Sequence, residues 1–163
     1  MKTPKDKNKT TQSEAPQKKG WQPYNLDYDA QQLVLKNRNN KDVLNESHKM
    51  RMAVAYGLER FWGEHLRLGR EKPAKGKYWK AVWDKLAEIL KKADIPLPND
   101  DINSQQNDRR RREEEETQKI QQMAQKIWSM PIEHQRVALM VLTQLCDALV
   151  WWTQRYKIKG ADD

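Results

Sequence analysis

A reactive centre in this chain would have to be built from three histidines, one cysteine and scattered carboxylates. His48, His65 and His134 stand far apart, without HxxxH or HExxH spacing, and no Asp or Glu pattern supplies the other ligands of a metal site. His65 lies on an apolar helix face and reads as a core histidine. Cys146 lies among Leu145, Ala148 and Leu149, the surroundings of a structural thiol rather than a nucleophile. Glu113 to Glu116 form a charge run whose ordinary place is a solvated face. Asp147, an acid within an apolar helix, reads as a rim position or as a partner for Arg136 or Arg155. GxxxxGK[ST], GxGxxG and GxSxG are all missing. These residues predict a protein that is not an enzyme and carries no metal, cofactor or small-molecule substrate.

The positive signal is a dense run of cations. Arg67, Arg70, Lys72, Lys75, Lys77 and Lys80 put six basic residues against one acid, Glu71, within 14 positions. Gly69, Pro73 and Gly76 predict a loop between two helices, which would leave those cations exposed. Phosphates are met by mobile Lys charges, bidentate Arg contacts and bare backbone N–H groups. A helix starting at Tyr78 would add its positive dipole end. Tyr78 could then offer a stacking face, whereas Trp79 reads as core. Arg155 and Lys157, with Lys159, form a second cluster. None of these residues reads base sequence, and a solubilising surface loop is the plainer alternative.

Charge and composition set the frame for these side chains. The chain has 163 residues and a formal charge of +8, carried as +4 in residues 1–20, +4 in 21–100 and zero in 101–163. Such a balance favours polyanions as partners. Residues 1–20 hold no apolar residue besides Met1 and Ala15, so they read as a disordered basic tail. The lone cysteine excludes an internal disulfide and fits a reducing compartment, so a cytoplasmic location is expected. The N-terminus has no apolar signal-peptide core. Val137 to Trp152 is apolar but interrupted by Thr143, Gln144 and Asp147, which predicts a buried helix and no membrane span.

Helical spacing runs through the rest. Pro23 predicts an extended lead-in, followed by a short helix capped by Asp27 or Asp29 and ending near Asn39 and Asn40. A helix beginning at Asn45 or Ser47 carries Val54, Leu58, Phe61, Trp62, His65 and Leu68. Another spans 78–92, with Trp79, Val82, Trp83, Leu86, Ile89 and Leu90 on one face. Residues 95–107 read as a linker between two helical halves. After it comes a helix with Arg109 to Arg112 placed four residues before Glu113 to Glu116, and with Ile120, Met123, Ile127 and Trp128 as its apolar face. Pro131 opens the last helix, whose stripe runs from Ala138 to Tyr156. The expected fold is all-α, a bundle of four to five helices with a long apolar C-terminal helix. It forms one domain over 21–159, with tails at 1–20 and 160–163. Trp62, Trp79, Trp83 and Trp128 read as core. Trp151 and Trp152 point about 100° apart along a helix, so one of them faces either the core or another protein chain.

Leu142-Thr-Gln-Leu-Cys-Asp-Ala-Leu-Val-Trp-Trp-Thr-Gln-Arg-Tyr-Lys157 resembles the C-terminal helix of the small subunit of type III CRISPR effector complexes of the Cmr kind. Its Leu-Thr start, Ala-Leu centre and Trp before a basic and aromatic end carry the likeness. Ala55-Tyr-Gly-Leu-Glu-Arg-Phe-Trp62 is similar to that family's Gly-Leu helix. The basic tail, the Arg/Glu block and residues 95–107 have no counterpart in the pattern. The resemblance implies an antiviral-defence subunit that stacks in copies along a guide–target RNA duplex, binds backbone and does not cut. The rival expectation is a helical adaptor or inhibitor whose basic loop meets an acidic protein. A helix-turn-helix DNA reader ranks last, because a connector over 67–80 would be too long for its turn.

Overall fold

The computed structural model describes residues 23–158, and those residues form helices and coil with no strand. The order is α1 (Pro23–Lys36), α2 (Lys41–Leu44), α3 (Glu46–Ala53), a 3-10 turn (Val54–Tyr56), α4 (Leu58–Glu71), α5 (Pro73–Lys92), α6 (Arg109–Trp128) and α7 (Ile132–Tyr156). Six of the seven α-helices have at least eight residues. The predicted basic tail, Lys159 and residues 160–163 lie outside the described residues. At the centre is α7, with Ala138, Leu142, Leu145, Cys146 and Leu149 fully buried against its neighbours α1, α3 and α5. Burial pushes the Cys146 thiol up to about 12, so it stays protonated. Among the described residues α7 is also the one helix long and apolar enough to cross a membrane.

Two early expectations give way to local backbone chemistry. Pro23 begins α1 instead of ending an extended lead-in, since a proline in the first turn gives up only an N–H that has no helical partner. The helix buries Leu26, Ala30, Leu33 and Val34, an i, i+4, i+7, i+8 stripe. The helix expected from Asn45 or Ser47 through Leu68 is broken at Gly57. Its φ of 95° is a conformation that favours glycine, and it separates the 3-10 turn from α4. That break and the short α2 account for the extra helices.

The segment 95–107 carries no helix, yet it is a bound strap. Ile95 and Leu97 are buried, and the Trp83 indole N–H donates to the Pro98 carbonyl at 3.1 Å. Further along, Lys119 donates to the Asn103 carbonyl at 2.8 Å, and Ser104 donates to Glu115 at 3.0 Å. In α6, Met123 and Ile127 are buried as expected, but Trp128 is 65 % exposed and is not core. The Arg109–Glu113 and Arg110–Glu114 pairs, at 3.0 and 3.3 Å, lie in solvent and contribute a few tenths of a kcal/mol each.

The basic run from Arg67 to Lys80 is not a loop. It is the tip of an antiparallel hairpin of α4 and α5 in which Lys72 alone is non-helical. Pro73 occupies the first turn of α5. The glycines set the distance between the helices: a Cβ built on Gly76 would stand 2.6 Å from both Cα and N of Gly69. Below this contact Phe61 packs on Trp79 with ring centroids 4.9 Å apart.

Candidate nucleic-acid interface

Folding the cations onto two helices sorts them into fixed and free. Arg67 is held by Glu64 at 2.8 Å and by Glu71 at 3.4 Å. Lys80 pairs with Asp84 and donates to Asn99 at 2.9 Å. Lys75 turns inward, 3.3 Å from Glu46, with its side chain only 17 % exposed. Arg70, Lys72 and Lys77 remain exposed, with no side-chain partner among the described residues. Lys72 is the one-residue turn and Arg70 and Lys77 stand on either side of it, at the start of α5, whose first helical turn holds no acid and has no side-chain cap. The positive dipole end of α5 and the negative end of α4 meet at this turn and largely offset each other, so the side chains carry the charge of the tip. Tyr78 offers no stacking face. It is buried, its hydroxyl lies 2.7 Å from Ser47 Oγ, and Ser47 lies 2.9 Å from Thr153 Oγ1. Burial pushes the Tyr78 hydroxyl up to about 12.

Glu46 is the polar centre that sequence reasoning missed. It is buried, and it accepts from the Trp79 indole at 3.2 Å, while Lys49 and Lys75 each stand 3.3 Å away. Its one sequence signal is position: Glu46, Met50 and Val54 share an i, i+4, i+8 stripe. Burial alone would raise its pKa, but the Trp79, Lys75 and Lys49 contacts together hold it below the ordinary 4.5. A carboxyl depressed by folding stabilises the native state above its unfolded pKa. That contribution disappears as pH falls through the lower folded value. Thermal melts of wild type should therefore lose ground below about pH 4.5, and Glu46→Gln should flatten that part of the profile. Equal acid sensitivity in both proteins would refute the assignment.

The second predicted cluster belongs to a different seam. Trp152 donates to Asp27 at 2.9 Å and stacks on Tyr156 at 5.0 Å, so it ties α7 to α1. Trp151 points outward, 46 % exposed, beneath Arg155, whose guanidinium lies 3.3 Å from the ring centroid. Lys157 is half-buried just beyond α7. Asp147 pairs with Arg51 at 2.5 Å, and not with Arg136 or Arg155.

No family model, curated protein or solved structure matches the chain.

Chemistry beyond ion pairing centres on His65 and Trp62. The His65 Nδ1–H donates to the Trp62 carbonyl, and burial pulls the imidazole pKa down, with Lys80 lowering it further. The neutral ring leaves Nε2 as an acceptor. Trp62 is buried, and its indole N–H has no acceptor among the described residues. Those residues contain no group of three His, Cys, Asp or Glu placed to hold a metal ion.

Proposed function

We propose that the chain is a non-catalytic, RNA-backbone-binding structural subunit of a cytoplasmic multi-copy complex. The observation that carries this reading is the trio Arg70, Lys72 and Lys77, exposed without acidic partners on a rigid hairpin tip. Three cations grouped at the hairpin tip neutralise neighbouring phosphates without reading bases. The sequence resemblance supports placing the subunit in a type III CRISPR effector complex, alongside guide and target RNA and copies of itself. Trp151, exposed beneath Arg155, is suited to contact such a copy.

A second reading is favoured by a separate observation. Trp128, Ile132 and Met140 are large apolar side chains left exposed on α6 and α7. A helical adaptor would use such residues against a protein, with the basic tip meeting acidic groups.

Binding to a fluorescent RNA duplex, followed by anisotropy across a salt series, separates the two. The variant to use is Arg70→Glu with Lys72→Glu and Lys77→Glu, leaving Lys75 in place because it holds Glu46. Log affinity of wild type should fall with log salt, and the variant's slope should be shallower by about 0.9 per lost phosphate contact. Absence of wild-type binding at low salt would refute the RNA reading and favour the adaptor.

A further inference from the structure

Helix α7 buries one face and leaves the opposite one uncovered. Ile132, Arg136, Met140, Gln144, Asp147 and Trp151 are all exposed, and they follow one another at spacings of four, four, four, three and four. Such spacing lines them along a single outward stripe. The stripe is neither an ordinary solvated face nor a purely apolar one. Ile132, Met140 and Trp151 are large apolar side chains in solvent, with a cation and an anion set between them.

The order of these residues is self-complementary. Laid antiparallel on a second copy, the stripe sets Ile132 against Trp151, Arg136 against Asp147 and Met140 against Gln144, and all three pairs centre on Val141 and Leu142. A two-fold axis at that point forms each pair twice. Both charges are open to a second chain. Arg136 has no side-chain partner among the described residues. Arg51 binds Oδ1 of Asp147, and the carboxylate is exposed enough to offer Oδ2 to another cation. A lipid surface or a wholly apolar partner would leave the two charges unmatched, whereas a reversed copy matches both. Beside the centre lies a hollow of about 170 Å³, walled by Val137, Met140 and Val141 of α7 and by Ile89, Leu90 and Ala93 of α5. It has room for one large apolar side chain, and the unbranched, adaptable Met fills such gaps well.

We propose that two copies of the chain pair through this stripe, antiparallel about a two-fold axis at Val141 and Leu142, with Met140 of each copy entering the other's hollow. The pairing rests on the copy contact suggested above for Trp151 and not on RNA binding, which uses Arg70, Lys72 and Lys77, so the two can fail separately. Six residues a side fall well below the roughly 20–30 of a standard stable interface, so the dimer is weak, with a Kd on the order of 100 μM.

Sedimentation velocity of the full-length protein from about 10 μM to about 1 mM should show monomer passing to dimer. Arg136→Asp sets like charges together and should raise Kd about tenfold or more, as should Asp147→Arg. An equimolar mixture of the two variants restores both cross-pairs, so it should dimerise as wild type does. Both positions are exposed, and circular dichroism would check that each variant is folded. Should Asp147→Arg fail to fold without its Arg51 contact, Met140→Lys, also exposed, takes its place and should raise Kd likewise. A wild type that stays monomeric to the top of the range would overturn the pairing while leaving RNA binding untouched. A dimer that Arg136→Asp or Met140→Lys leaves intact would overturn it too, as would a folded mixture that stays monomeric.

Discussion

Gly76→Ala should destabilise the protein by about 2 kcal/mol or more, while Gly69→Ala, on the facing helix, should be neutral or stabilising. The two glycines meet, but they are not equivalent. A Cβ on Gly76 would stand 2.6 Å from the Gly69 backbone and 3.0 Å from the His65 carbonyl, with no side chain to swing aside. The helices would have to part, which opens the Phe61–Trp79 contact below. A Cβ on Gly69 meets nothing within 4 Å, so alanine there gains helix propensity of up to about 1 kcal/mol. Urea unfolding midpoints of the two variants against wild type would decide. A Gly76→Ala protein as stable as wild type would mean that the helices do not approach this closely.

Lys75→Glu is expected to cost about 3–5 kcal/mol, whereas Lys72→Glu and Lys77→Glu should each stay within about 0.5 kcal/mol of wild type. The three lysines are close in sequence but differ in what they face. Lys75 stands 3.3 Å from Glu46, which is 2 % exposed, so reversing its charge sets two carboxylates together. Lys49 also contacts Glu46, but its side chain is 66 % exposed and well screened. A loss of that size approaches the whole stability of an ordinary domain, about 5–15 kcal/mol. Thermal melts of the three single variants provide the measurement. Matching melting temperatures would show that the buried pair contributes little. The result also bears on any binding study, since a charge reversal that includes Lys75 would confuse unfolding with lost affinity.

The helical fold was readable because its signal is repeated: α5 carries its apolar stripe from Tyr78 to Leu90 and α7 carries one from Ala138 to Thr153. The hairpin tip was not, because Gly69, Pro73 and Gly76 are ambiguous in a single sequence. Glycine marks a turn and equally permits helices to touch, and proline ends one helix and equally starts the next. Reading all three as loop formers also made the six cations look equivalent. Their separation into fixed and free depends on Glu46, Glu64 and Asp84, and only the three-dimensional arrangement brings Glu46 to Lys75. Trp128 misled for the opposite reason. It follows Ile127 at the end of the late apolar face of α6, but that polar helix buries a narrow stripe that ends beside it.

The seam between α1 and α7 has a consequence for how the chain is made. The hydrogen bonds from Trp152 to Asp27 and from Gln31 to Tyr156 each span 125 positions. During synthesis α4 and α5 can pair as soon as their hairpin leaves the ribosome, because that contact is local. Helix α1 has to wait. Its stripe of Leu26, Ala30, Leu33 and Val34 has no α7 to cover it until the ribosome has passed Tyr156. At about 5–20 residues per second, that is an interval of several seconds to tens of seconds with an uncovered apolar helix. The nascent chain is therefore exposed to chaperone capture, or to pairing with a neighbouring nascent copy, through α1 during that interval.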